Sequence, residues 1–225
     1  MRFSTKCLLP VVTLTSAFAA PPAFEVYNAA SMIPAAVPQI AQGSRFIFRF
    51  PGTGIGPARR VNAAFPLPTT AGLAGLTLQV NVGSAQAYPC ILLFAAFEQV
   101  GAVLPSNVPV GDGQLTLYYT AANGTVMGGP NPAIRVVPIS FGIYTQNGLG
   151  VGPAVVTDAS GYSVDITNPA HNGDTISLRG TGLGAITADE TQPPPRRFEY
   201  RCPGFCGKPT RDGSLRRTCR RWGRQ

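Results

Sequence analysis

The stretch Gly43-Ser44-Arg45-Phe46-Ile47-Phe48-Arg49-Phe50-Pro51-Gly52-Thr53-Gly54-Ile55-Gly56 returns 130 positions later. The second copy is shorter: Gly173-Asp174-Thr175-Ile176-Ser177-Leu178-Arg179-Gly180-Thr181-Gly182-Leu183-Gly184. Each copy is a glycine, a small polar residue, a short apolar-rich run and then Gly-Thr-Gly-(Ile/Leu)-Gly. A repeat of that length is a whole domain rather than a solenoid unit, so it predicts two related modules. A chain of 225 residues has room for two domains of about 100 residues, each with its own core.

The segments between the glycines read as strands. Residues 76–82 and 114–120 alternate apolar and polar side chains with period two, the mark of a half-buried strand. Residues 45–50 are β-prone and too short for a stable helix. Residues 91–97 form a continuous apolar run, which fits a strand buried on both faces or a core helix turn. Asn123-Gly124 offers a hairpin turn before Val126. Farther along, residues 152–157 and 162–166 bracket the turn Asp158-Ala159-Ser160-Gly161, and Asn172-Gly173 turns into residues 175–178. No window sustains a three-to-four-residue apolar period. The 26 Gly and 22 Pro are spread through the chain, and only 12% of residues are charged against 44% apolar. Such a composition suits a turn-rich β protein and excludes disorder. Many short strands about ten residues apart predict an all-β chain of two immunoglobulin-like sandwiches joined near residues 135–139.

Residues 1–19 read as a signal peptide. Arg2 and Lys6 supply the positive start, Cys7 to Phe18 the apolar stretch, and Ala17-Phe18-Ala19 the small–x–small cleavage pattern. The stretch is too short to span a bilayer as a helix, and no other segment reaches that length. The expected product is secreted or periplasmic, with no transmembrane span. The formal charge of +8 is confined to the ends. Residues 196–225 hold ten Arg or Lys and two acids, whereas residues 20–195 hold six Arg and eight acids. Of the five cysteines, only Cys90 belongs to the body, so no internal disulfide scaffold is expected.

Several pieces, taken in order, resemble a family of secreted bacterial repeats abundant in acidobacteria. These repeats often end large extracellular proteins and look like the immunoglobulin-like IPT/TIG domains. The matching residues are Tyr27-Asn28-Ala29-Ala30-Ser31, Gly43-Ser44 with Gly52-Thr53-Gly54, Leu67-Pro68-Thr69-Thr70 and Gly75-Leu76-Thr77-Leu78-Gln79-Val80-Asn81. Val108-Pro109-Val110-Gly111, Phe141-Gly142-Ile143-Tyr144, Gly173-Asp174 and the second Gly-Thr-Gly-Leu-Gly complete the set. The resemblance covers about residues 26–190 and implies an exported two-sandwich module, with no catalytic residue to carry over. With the signal features, strand pattern and charge run, the expected division is a signal peptide (1–19), a first sandwich (24–137), a partial second sandwich (138–195) and a basic Cys/Arg-rich tail (196–225). Where the family would continue with another strand pair, the tail turns polar and Arg-rich. That is the bias of a shifted frame in GC-rich codons, or of a divergent ending. An unfinished second sandwich would expose strand edges, an aggregation hazard.

No constellation names a reaction. Gly-Thr-Gly-x-Gly lacks the G-x-G-x-x-G spacing of a dinucleotide loop, and Pro57 follows the first copy, so turn glycines are the expectation. His171, the single histidine, has Asp158, Asp165 and Asp174 near it in sequence but no G-x-S-x-G elbow, and reads as a solvated loop residue. Asp189 and Glu190 are adjacent and point apart, unlike a glycosidase pair. Asp158, Asp165, Asp174 and Asp189 lack the spacing of a calcium loop. Cys202, Cys206 and Cys219 leave a zinc site one ligand short. The expectation is therefore no catalytic, cofactor-binding or metal residue and no cofactor, in a structural spacer, adhesion or interaction module. Its partner would be an extracellular protein or polysaccharide; nucleic acid is not expected. The competing class is a carbohydrate-binding accessory module, for which Tyr118, Tyr119, Tyr144 and Tyr162 are the available rings.

Overall fold

The computed structural model describes residues 24–83, 86–121, 123–129 and 131–193, with two further strands at Gly207–Pro209 and Leu215–Arg217. The expected signal peptide and most of the basic tail, including Cys202, Cys206 and Cys219, lie outside the described residues. Those described are all-β, and none forms a helix long and apolar enough to cross a membrane.

The first sheet is built from β1 (Glu25–Asn28), β3 (Arg45–Arg49), β4 (Val61–Asn62), β7 (Ile91–Ala96) and β8 (Gln99–Val103). Its spatial order is β1-β3-β8-β7-β4, every pair antiparallel. The second holds β2 (Gln39–Ala41), β5 (Leu76–Val82), β6 (Ala87–Pro89), β9 (Gly111–Thr120) and β11 (Ala133–Val137), in the order β2-β11-β9-β5-β6. β10 (Val126–Gly128) folds back on β9 across the expected hairpin, where Gly124 takes a φ of 82°. β2 runs parallel to β11, whereas its neighbour in sequence, β1, belongs to the other sheet. The chain changes sheets over residues 29–38, where Pro34 and Pro38 have no N–H to give a ladder.

Period-two alternation decides what is buried. In β3, Phe46 and Phe48 point inward between exposed Arg45 and Arg49. In β5, Leu76, Leu78 and Val80 are buried, and in β9 Leu115 and Leu117. With Leu92, Ala95, Val100, Ala102, Ile134 and Val136 they make one cluster fed by both sheets, the interior of a β-sandwich. Phe48 and Phe50 meet edge to face, with centroids 5.3 Å apart, the arrangement the aromatic quadrupole favours. Cys90 is fully buried in this cluster and unpaired; burial pushes its thiol pKa up, which makes it inert.

Ile91–Ala96 of the apolar run becomes β7, with a register shift between Leu92 and Phe94, and Phe97 lies in the turn that follows. The irregularity puts two consecutive residues, Leu93 and Phe94, off the main core. Leu93 packs against a small cluster of Leu67, Ile91 and Val103. Phe94 lies on the outer face of the first sheet.

Beyond Val137 the pattern changes. β12 (Gly142–Ile143) pairs with β15 (Gly180–Thr181), and β13 (Val156–Asp158) with β14 (Ile176–Leu178). These fragments occupy the region expected to hold the partial second sandwich. Among the described residues, the two core clusters end at Val136. Large apolar side chains there stay exposed, among them Leu149, Val151, Tyr162 and Ile166. In the tail, β16 (Gly207–Pro209) pairs antiparallel with β17 (Leu215–Arg217).

Candidate functional site

Among the described residues three polar ones are buried, Asn28, Ser44 and Thr181; Asn28 and Thr181 bond across the place where residues 138–192 meet the sandwich. Asn28 ends β1 and points inward. Its Oδ1 accepts the amides of Ala30 (2.9 Å) and Ser31 (3.3 Å), and its Nδ2 donates to the Ser140 carbonyl at 2.8 Å. The Thr181 hydroxyl accepts the Arg45 amide at 2.8 Å. Ser44 donates to the Ala41 carbonyl at 2.6 Å. At a third point Glu190 accepts both the amide (2.9 Å) and the hydroxyl (2.7 Å) of Ser106, and that hydroxyl in turn accepts the Ile186 amide. The Leu67 amide donates to the Thr191 carbonyl at 2.7 Å. Among the described residues every buried side-chain polar atom has a partner, so this junction carries no desolvation penalty of the kind an orphaned amide would impose.

The repeated glycines take part in different ways. Gly56 and Gly184 have nearly the same φ, 110° and 113°. Each faces a backbone carbonyl where a Cβ would be, that of Ala96 in the first copy and of Pro138 in the second. Gly54 (φ 67°) has open space around it, whereas Gly182 (φ 97°) is packed against Ser140. Neither loop opens a helix. The motif is a turn in both places, and the second turn also forms the junction.

The acids singled out from the sequence serve local turns. Asp158 Oδ1 accepts the amides of Ser160 and Tyr162, and Asp165 Oδ1 accepts the Thr167 hydroxyl and the amides of Thr167 and Asn168. Asp189 holds Thr191 in the same way. Asp174 Oδ2 accepts the His171 amide at 2.7 Å and stands 3.6 Å from His171 Nδ1; that imidazole is 80% exposed. Among the described residues, no three His, Cys, Asp or Glu side chains converge.

The Thr167 hydroxyl, followed by the amides of Thr167 and Asn168, holds the Asp165 carboxyl below its usual pKa. A depressed folded pKa stabilises the turn fully above the unfolded aspartate value of about 3.9. That contribution is lost as pH falls through the folded value. Acid titration below about pH 4 is therefore expected to release the Thr167 amide, seen as faster hydrogen exchange after normalising to the intrinsic rate. In Asp165→Asn this acid-induced release should vanish; if it persists, another group controls the turn.

The four tyrosines do not form one platform. Tyr118 and Tyr119 are consecutive on β9 and face opposite ways; Tyr119 packs against the core. Tyr162 is 71% exposed on a loop. Tyr144 alone lines a cavity, of about 360 Å³, on the outer face of the first sheet, together with Arg45, Ile47, Arg60, Phe94 and Gln99. The Arg60 guanidinium lies 3.7 Å above the Phe94 ring centroid, and its Nε donates to Asn62 Oδ1 at 2.9 Å. A larger cavity, of about 510 Å³, runs along the junction past Tyr88, Ser106 and Glu190, but its partly buried carboxylate is already committed to Ser106. Sequence reasoning missed Arg45, Arg60 and Phe94. The available signals were a lone glycine, Gly101, inside a strand and an Arg pair, Arg59-Arg60, in a Gly/Pro loop.

No protein-family model and no curated protein matches the chain. The functional reading therefore rests on geometry.

Proposed function

We propose that this chain is an exported, non-enzymatic structural or interaction module: one immunoglobulin-like sandwich followed by the opening strands of a second. The strand orders support the immunoglobulin reading. β1-β3-β8-β7 corresponds to A-B-E-D, and β2-β11-β9-β5-β6 to A′-G-F-C-C′, including the parallel pairing of β2 with β11. The observation that carries the functional reading is the junction made by Asn28, Thr181 and Glu190. Three separate hydrogen-bonded points between one module and the start of the next fix their relative orientation, which a spacer or ligand-presenting array requires and a free linker lacks. The turn roles of Asp158, Asp165 and Asp189 and the exposure of His171 support a module without chemistry of its own.

Hydrogen exchange on the full chain tests this. The amides of Arg45, Ser106 and Ile186 should be protected well beyond those of the loop around Asp165. Exchange at loop rates would mean that the junction opens freely, and the spacer reading would lose its basis. Export predicts a mature N-terminus at Ala20, read by mass spectrometry of the secreted fraction.

A second reading, a glycan-binding accessory module, is favoured by the cavity around Arg60 and Phe94.

A further inference from the structure

The outer face of the first sheet carries a cross-strand row in register: Tyr27, Ile47, Gly101, Phe94 and Asn62. Gly101 sits in a regular strand and needs no positive φ. Its reason is packing, because a Cβ there would overlap the Phe94 ring. Glycine at this position lets the ring lie across the neighbouring strand, and Arg60 stacks on the ring's outer side. Stacking fixes the guanidinium plane, and the bond from Nε to Asn62 fixes its rotation within that plane. Among the described residues the two terminal amino groups have no hydrogen-bond partner, and together they form a fork that matches a carboxylate. Arg45 lines the same cavity, which has no Asp or Glu in its wall. Elsewhere Arg49 and Arg135 are paired with Glu25 and Asp112; among the described residues neither Arg45 nor Arg60 has a carboxylate within 4.0 Å. Of the four described arginines of the body without such a partner, Arg45, Arg59, Arg60 and Arg179, two line this cavity.

The rest of the cavity suits a sugar rather than a bare anion. Ile47 provides an apolar patch for the C–H face of a ring. The Gln99 amide and the Tyr144 hydroxyl provide the mixed donors and acceptors that hydroxyl groups need. A volume of about 360 Å³ is ample for one monosaccharide. We propose that this cavity binds an anionic sugar unit, a hexuronate of an acidic polysaccharide, with Arg60 and Arg45 on its carboxylate. The proposal rests on the glycan-binding reading and narrows it to one ligand chemistry and one site.

Titration calorimetry on the full chain, at low and moderate salt, provides the test. The probes are a galacturonate trisaccharide, the neutral galactose trisaccharide, a sulfated galactose trisaccharide and inorganic sulfate. The uronate is expected to bind and the neutral sugar to show no heat. Arg60→Lys keeps the charge but loses the stacked fork, and should weaken uronate binding about tenfold or more; Arg45→Ala/Arg60→Ala should abolish it. Both arginines are exposed, so unchanged circular dichroism and melting should accompany these losses. Binding that survives the double substitution would place the anion elsewhere, on the basic residues 196–225, and overturn the proposal. Equal affinity for the neutral sugar, lost with Tyr144→Ala, would overturn the acidic-sugar assignment while leaving the glycan-binding reading intact. No binding of any saccharide would overturn both. Sulfated sugar binding more tightly than uronate would reassign the anion to a sulfate ester, and inorganic sulfate matching the uronate would reduce the site to a bare-anion pocket.

Discussion

Phe48→Ala is expected to remove about 3–5 kcal/mol of stability, the cost of truncating a fully buried phenylalanine. The side chain has no exposed surface, projects from the middle of β3 into the cluster shared by both sheets, and meets Phe50 edge to face. Truncation loses the transfer energy of the ring and leaves a cavity that a close-packed sandwich can only partly close. It also loses the aromatic pair, which contributes about 0.5–1.5 kcal/mol beyond its area. Domains of this kind are stable by about 5–15 kcal/mol, so one substitution removes a large share. The comparison is Phe97→Ala. Phe97 is 56% exposed in the turn after β7, and its loss should stay within about 0.5 kcal/mol. Urea unfolding followed by tyrosine fluorescence would show a lower midpoint with an unchanged slope for Phe48→Ala. A cost under about 1 kcal/mol would mean that the two sheets do not close on these phenylalanines.

The strands that carry this core were legible because alternation is a direct record of a pleated surface with one buried side. Residues 76–82 and 114–120 alternate in sequence, and the structure buries Leu76, Leu78 and Val80 in the first and Leu115 and Leu117 in the second. The run at 91–97 was ambiguous because its apolar residues serve three environments. Leu92 and Ala95 enter the main core, Leu93 the small cluster, and Phe94 the outer face, after a register shift that apolar composition does not encode. The parallel pairing of β2 with β11 joins residues almost a hundred positions apart, and neither short segment specifies the other. The cavity was hidden for a similar reason. The sequence offers tyrosines as the available rings, whereas the cavity's aromatic floor is a phenylalanine placed on the outer face at the register shift and given room by Gly101. In sequence Asn28 stands out only as part of a pattern; its role as a junction residue depends on Ser140, more than a hundred residues away.

Gly182→Ala is expected to release residues 138–193 from the first sandwich while leaving the core folded. Gly182 has a φ of 97°, a value costly for any residue with a Cβ, and that Cβ would run into the Ser140 carbonyl. The same carbonyl accepts the Asn28 side-chain amide, and the Ser140 amide donates to the Gly182 carbonyl at 2.9 Å. Relief of the clash must move Ser140, which takes from Asn28 Nδ2 its partner in a buried place. Backbone strain of about 1–3 kcal/mol and an unsatisfied buried amide costing about 1–3 kcal/mol act at the same point. Gly54, the matching glycine of the first copy, is the control. It also has positive φ, but an added Cβ meets nothing within 4 Å, so Gly54→Ala should cost only about 1–2 kcal/mol. Hydrogen exchange would separate the two. Gly182→Ala should lose protection at Arg45, Ser140 and Tyr144 while Leu78 and Leu117 keep theirs, because residues 138–193 contribute nothing to the core clusters. Equal effects of the two substitutions would mean that the second Gly-Thr-Gly-Leu-Gly is only a turn. Loss of protection at Arg45 with Gly182→Ala alone would establish that the second Gly-Thr-Gly-Leu-Gly, beyond making a turn, holds its segment against β3.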